Sequence, residues 1–335
     1  MTRKSPKSRR GNVVDAMTKA IHDLRDLKTP GISPPAEDVR IDGRTCLITG
    51  ANSGLGRAAA IELARRGGDM ILACRPGHAG IEDEIRRLSG SDSVKLVEVD
   101  LSDLRSVHRC CDELQRRGIR IDVALLNAGC MSRRSQKTPQ GYEVMFAVHF
   151  LANRVMIDRW LTDGVICPSS RPGETPRIVF VSSDSHRSAP PIDFDRFGAY
   201  TKHGMSQSMQ CYAGSKLVLC TFATELSRRL NPGESVGVAV HALCPGGVAT
   251  NIVKDAPRLL RPVFNAWLRR FFQKPEEAIG PVLHLCCAEQ AGNSTGMYLH
   301  MMHRRQVSPD AADPANGARL WEASEPMVAG SRESP

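Results

Sequence analysis

Aromatic residues are scarce in this 335-residue chain, at 5%, and that thins out the rings on which single-stranded nucleic acid would stack. No apolar run approaches the roughly 18 residues needed to span a bilayer, and the basic N-terminus has no apolar signal core. The eleven cysteines include no C-x-x-C pair and no zinc-finger spacing, so no metal site is expected. An odd number of cysteines without a framework points to a reducing compartment, and a cytoplasmic protein is expected. Internal repeats and low-complexity tracts are also missing. What remains is an ordinary globular composition, 41% hydrophobic and 24% charged.

The formal charge of +9 would suggest a nucleic-acid partner if it were spread over a surface. Much of it sits at one end, where Arg3, Lys4, Lys7, Arg9 and Arg10 occur with no acid. The mildly basic remainder suits a small anionic cofactor, and no nucleic acid is expected. Residues 13–27 place Val14, Met17, Ile21 and Leu24 at helical spacing. Such a helix could pack on the domain or a second subunit, or lie peripherally on an anionic membrane, although Asp15, Asp23 and Asp26 oppose the last. Thr29 to Pro35 reads as a Pro-rich linker, so residues 1–38 precede a single domain at 39–330.

Within that domain strand and helix patterns alternate. Strands are expected at Thr45–Thr49, Asp69–Cys74, Val94–Val99, Asp122–Leu126, Arg177–Val181 and Val236–Leu243. Long helices are expected over Thr138–Leu161 and Ser206–Leu230. This is the pattern of an α/β, doubly wound parallel sheet with helices on both faces. Ligands of such sheets sit at the carboxyl ends of the strands.

Those ends carry the candidates. After the first strand come Gly50, Asn52, Ser53, Gly54, Leu55 and Gly56, and then a run of good helix formers. Glycines before a helix N-terminus make a phosphate site, because the backbone comes close and its unpaired N–H groups face an anion. The spacing is neither G-x-G-x-x-G nor a Walker loop. Arg75 ends the second strand where an acid would select NAD, and a cation there suits a 2′-phosphate, hence NADP(H). Asp100 and Leu101 end the third strand, where Asp100 or Ser102 could instead cap the next helix. Asn127, Ala128 and Gly129 end the fourth. The fifth ends in Ser182 and Ser183. Tyr212 and Lys216 lie four residues apart on one helix face, where an ammonium can lower the phenol's pKa so that it exchanges protons near neutrality. A Ser183 hydroxyl could hold the substrate oxygen meanwhile. Asp184 and His186 do not make a hydrolase triad with these serines, since G-x-S-x-G is absent and neighbouring positions point apart.

Thr49-Gly50 with Gly54 and Gly56, the Asn127-Ala128-Gly129 turn, Ser183, and Tyr212 with Lys216 together resemble the classical short-chain dehydrogenase/reductase family. Leu320-Trp321-Glu322-Ala323-Ser324-Glu325 is similar to the tail of its retinol-dehydrogenase-like branch. The resemblance implies a Rossmann-type fold and hydride transfer between NADP(H) and a lipophilic alcohol, ketone or aldehyde. It implies that Asp100 contacts adenine and that Asn127–Gly129 hold the nicotinamide side of the sheet. It gives Ser183, Tyr212 and Lys216 the chemistry, with Tyr212 and Lys216 also touching the cofactor. Pro245, Gly246, Val248 and Thr250 would meet the nicotinamide amide and the phosphates. A substrate lid is implied around 255–274, whose apolar helix at 257–272 is a second place for peripheral membrane contact. A homodimer or homotetramer is common in the family. One position departs: the fourth catalytic residue, an asparagine in the family, is His149 here. Histidine keeps the backbone carbonyl and adds a titratable group, so two outcomes follow: activity with an altered pH dependence, or an impaired cofactor-binding or sensing protein.

Overall fold

The computed structural model describes residues 31–169, 173–248 and 273–333. The expected helix at 13–27, Thr250 and most of the expected lid lie outside them. Among the described residues eight strands form one sheet in the order β3-β2-β1-β4-β5-β6-β7-β8. They are β1 (Thr45–Thr49), β2 (Asp69–Cys74), β3 (Val94–Glu98), β4 (Val123–Leu126), β5 (Arg177–Val181), β6 (Ala239–Cys244), β7 (Tyr298–His300) and β8 (His303–Arg305). All pairings are parallel except β7 with β8. From β1 the chain winds outward to β3, then returns beside β1 as β4 and winds the other way. That reversal opens a crevice beyond the carboxyl ends of β1 and β4.

The helices are α1 (Gly54–Arg65), α2 (Ile81–Ser89), α3 (Leu104–Arg116) and α4, which runs as Val144–Phe146, a π-helical turn Ala147–Leu151, and Ala152–Thr162. There follow α5 (Met205–Leu230), α6 (Gly280–Cys287), α7 (Glu289–Gly292), α8 (Pro309–Ala312) and α9 (Pro314–Glu333). Central strands are buried along their whole length because helices cover both faces. Alternate residues divide between two cores. Leu47, Ala124 and Leu126 face Phe150, Trp160 and Phe222, whereas Cys46, Ile48, Val123 and Leu125 face Leu63, Ile85 and Leu285.

Several expectations change. The helix expected from Thr138 starts at Val144, because Pro139 and Gly141 turn the chain first: Lys137 bridges to Glu143, and Gly141 has φ +91°. The Glu143 carboxylate then caps the helix, accepting from Met145 N at 2.7 Å. The third strand ends one residue earlier than expected, the fourth starts one later, and the sixth runs Ala239–Cys244. Residues 31–35, read as linker, are docked on the domain: Ile32 N donates to Met302 O at 2.7 Å. The β7–β8 hairpin and α9 were not expected. Their strands of three residues are too short to show a period.

Candidate active site

The glycine turn and the Asn127 turn are built against each other. Gly50 and Gly54 take φ of +69° and +56°, the left-handed region where glycine is free to go. Gly56 is needed for space instead, since a Cβ there would lie 2.4 Å from Asn127 Nδ2 and 2.5 Å from Gly50 O. Asn127 Nδ2 donates to Thr49 O at 2.9 Å, and Ala128 N donates to Thr49 Oγ1 at 3.0 Å. The start of α1 carries no acid in its first turn, and Ser53 makes no side-chain cap. Its amide groups remain available to an anion.

Arg75 is exposed beyond β2 and forms no ion pair among the described residues. Neither Asp100 nor Ser102 caps α3: that role belongs to Asp103, which accepts from Arg105 N at 3.1 Å. Asp100 Oδ1 accepts from Ser102 N and Oγ at 2.9 and 2.7 Å, and Leu101 is buried. Beyond β6, Pro245 leads to Gly246 at φ +82°, and Val248 is buried against a bridge to Gln273. Asn52 bonds His78 at 3.1 Å.

The proton-handling candidates come together between β5 and α5. Lys216 is 3% exposed, and its Nζ donates to Val181 O at 3.0 Å, one residue before the serines. The ammonium lies 5.7 Å from the Tyr212 ring centroid. Ser183 Oγ accepts from Ser185 N and Oγ, and its hydroxyl favours the ionised form of the Tyr212 phenol. Ser182 faces away, buried, with Oγ 3.0 Å from Cys220 Sγ. Tyr200 bonds Ser135. The hydrolase constellation is absent: Asp184 pairs with Arg187, while His186 donates from Nδ1 to Ser183 O and accepts at Nε2 from Ser308 N.

Electrostatics correct one expectation. Burial pushes the Tyr212 phenol up to about 12, and the Ser183 hydroxyl only partly opposes it. Burial brings Lys216 down to about 8, so the ammonium is itself disfavoured. The expected lowering of the phenol is therefore not supplied by the chain's own groups. The titration of His149 is shifted as well. Burial first, then Lys216, hold its imidazole well below the ordinary value, so it stays neutral.

Ser215 is a residue that the sequence analysis did not single out. Its Oγ bonds His149 Nδ1 at 2.8 Å and donates to Tyr212 O at 2.8 Å. It sits inside the Tyr212–Lys216 spacing, which was the available signal. Asn153 was missed: its Nδ2 donates to His149 O at 2.8 Å, so the carbonyl that the substitution preserves is already engaged.

Residues 44–259 match the family described as short chain dehydrogenase. Retinol dehydrogenase 14 of Mus musculus is 36% identical over 301 residues, covering 85% of this chain and 86% of the relative. The chain belongs to the short-chain dehydrogenase/reductase family, in its retinol-dehydrogenase-like branch. Human retinol dehydrogenase 13 is 32% identical, with 91% of this chain and 90% of the relative covered. Among solved structures, an uncharacterised Mycobacterium paratuberculosis protein superposes with a TM-score of 0.66 at 26% identity, over 90% of this chain and 98% of that one. An NAD(P)-dependent gluconate 5-dehydrogenase from Beutenbergia cavernae, with NADP bound, gives 0.56 at 25% identity over 79% and 97%. This short-chain dehydrogenase is thus an oxidoreductase of CH–OH groups that uses a nicotinamide cofactor. No described helix is long and apolar enough to cross a membrane.

Proposed function

We propose that the protein transfers hydride between NADP(H) and a lipophilic alcohol, ketone or aldehyde, with Ser183, Tyr212 and Lys216 handling the substrate oxygen and its proton. The observation that carries this reading is the convergence of Ser183, Tyr212 and Lys216 beside the Asn127–Gly129 turn. A Cβ on Gly129 would lie 3.6 Å from Lys216 Nζ. The phosphates would rest on the amides at the start of α1, and Arg75 supplies an unpaired cation for a 2′-phosphate. When bound, the nicotinamide gives or takes the hydride. In reduction Tyr212, protonated at neutral pH, donates its hydroxyl proton to the carbonyl oxygen held by Ser183, and the alcohol forms. Lys216 holds β5 and α5 in register through Val181 O.

The mouth of the site favours an apolar substrate. Met205 and Met209 on α5 are 68% and 57% exposed, two turns and one turn before Tyr212, and Met131 is 40% exposed after the Asn127 turn. The bond from Ser208 Oγ to Ser132 O holds these two segments together. Flexible thioethers adapt to bulky apolar ligands. The names of the retinol dehydrogenase relatives agree with such a substrate.

The test is turnover of NADPH and NADH by purified protein with bulky and small carbonyl compounds. Bulky apolar carbonyls should react with NADPH, and Tyr212→Phe should lower kcat by about 10³-fold. Arg75→Asp should shift preference toward NADH by about tenfold or more. Equal use of the two nucleotides before and after that change would sink the NADP assignment, and tight nucleotide binding without turnover would sink the enzyme reading.

A further inference from the structure

His149 lies in the π-helical turn of α4 with none of its surface exposed, and both ring nitrogens are engaged. The partners fix where its proton is. Cys130 N–H donates to Nε2 at 3.0 Å, so Nε2 carries no hydrogen. Nδ1 therefore bears the hydrogen and donates it to Ser215 Oγ at 2.8 Å. Ser215 spends its own hydrogen on Tyr212 O at 2.8 Å. The donations run one way, from the turn after β4, through the imidazole and the hydroxyl, to the backbone of the catalytic tyrosine. The ring also stands edge-on to Tyr212, centroids 5.5 Å apart. It fills the space at Gly129, where a Cβ would come 3.2 Å from Nε2.

We infer that His149 is a positioning residue: a neutral, Nδ1-protonated imidazole that clamps the Asn127–Cys130 turn to the Tyr212 turn of α5. The clamp sets the gap between the nicotinamide side of the site and the hydroxyl that exchanges the proton. It rests on the proposed roles of Tyr212 and the Asn127–Gly129 turn. A proton-carrying role does not fit, because both nitrogens are consumed and a second ring hydrogen would face the Cys130 N–H. The titratable groups facing the ring are Lys216 and Tyr212 from α5 and Cys130 from the turn, with no carboxylate among them. Nothing there favours the cation.

Reach explains why histidine suits this position. An asparagine amide matches the near nitrogen and can serve Ser215, but it stops short of Cys130. A glutamine amide matches the far nitrogen and can serve Cys130, but it bypasses Ser215. Each variant therefore keeps one arm of the clamp, and phenylalanine keeps the volume with neither. His149→Asn and His149→Gln should each lower kcat with the bulky carbonyl by about tenfold, and His149→Phe by about a hundredfold. The NADPH dissociation constant and KM should stay within about threefold, since the contact made by substrate and nucleotide is not removed. A role confined to stability would lower Tm and leave kcat alone. Folded variants that keep kcat within about twofold of wild type overturn the clamp.

A second readout needs no turnover. In ¹⁵N spectra of the histidine rings, the signals lost in His149→Asn identify His149. They should show hydrogen on Nδ1 alone and should not titrate between pH 7.5 and 5.5. A ring carrying hydrogen on Nε2, or one titrating near pH 6.5, overturns the clamp. Wild type and Tyr212→Phe are assayed alongside. Absence of Tyr212-dependent turnover in wild type would overturn the proposed function, while the ring spectra would still decide whether the clamp exists.

Discussion

Lys216 shows how chemistry and stability pull against each other at one residue. Its ammonium is 3% exposed and bonded to a single carbonyl, with no carboxylate beside it. The pKa falls from 10.5 to about 8, which corresponds to a penalty of roughly 3 kcal/mol for the charged native form. The sign follows from proton counts. Between pH 10.5 and 8 the unfolded chain binds more protons than the native one, so stability falls as pH drops through that window and levels off below it. Lys216→Met removes the charge but strands Val181 O, so a net gain of about 1–2 kcal/mol at pH 7 is expected, together with loss of turnover. Urea unfolding at pH 7 and 9.5 checks it: the gain should shrink at the higher pH, and a variant no more stable at pH 7 would refute the account. The spacing of Tyr212 and Lys216 was legible because i and i+4 share a helix face. The environment was not. Whether a phenol is raised or lowered depends on its burial and on the groups around it, and those groups, Cys130 and Cys244 among them, are remote in sequence.

At the scale of elements, the glycine turn and α1 depend on a residue of a different strand. The three glycines could be read from spacing, and two of them do serve a left-handed backbone. Gly56 serves a different end. Its hydrogen is the only substituent that lets α1 approach Gly50 and Asn127, a tertiary fact that spacing does not contain. Gly56→Ala should therefore destabilise by about 1–3 kcal/mol and weaken NADPH binding, because backbone oxygen cannot yield as a side chain can. Gly330→Ala in α9 is the control: nothing lies within 4 Å of its Cβ, and a gain of about 0.5–1 kcal/mol is expected. Thermal unfolding and NADPH fluorescence titration of both variants measure this; equal effects would refute it. The same limit explains the misread start of α4. Apolar spacing suggested a helix from Thr138, but Pro139 and Gly141 make a local turn, and the Glu143 carboxylate sets the true start. The ends of β1, β2, β4 and β5 were legible because each closes a buried, mainly apolar run. The β7–β8 hairpin was not, because it is held by pairing to β6 rather than by any pattern of its own.

Across the whole molecule, buried neutral histidines link the fold to pH. His149 and His241 sit on different elements, each almost without exposure, and each has one nitrogen accepting a backbone N–H. His241 Nε2 donates to Ala291 O at 2.8 Å, and burial draws its pKa down to about 4. His149 is also held well below the ordinary value, and His108 and His284 are shifted the same way. With native values depressed below 6.5, the unfolded chain binds more protons as pH falls, so stability is full above pH 6.5 and is lost on the way down. Each buried imidazole contributes a slope of about 1.4 kcal/mol per pH unit there. His149 and His241 together make nearly 3 kcal/mol per unit, against a total that for most domains is about 5–15 kcal/mol. The chain's positive charge, already +9 with histidines neutral, works in the same direction as acid is added. Urea midpoints should thus fall steeply between pH 6.5 and 5 while changing little between 8 and 7. His241→Gln should reduce the acid slope by about 1.4 kcal/mol per pH unit although it weakens the protein at pH 7, because the midpoint measures both states while the slope counts only protons. A profile level down to pH 5 would mean that these imidazoles are protonated in the native protein and that the hydrogen-bond directions assigned to them are wrong.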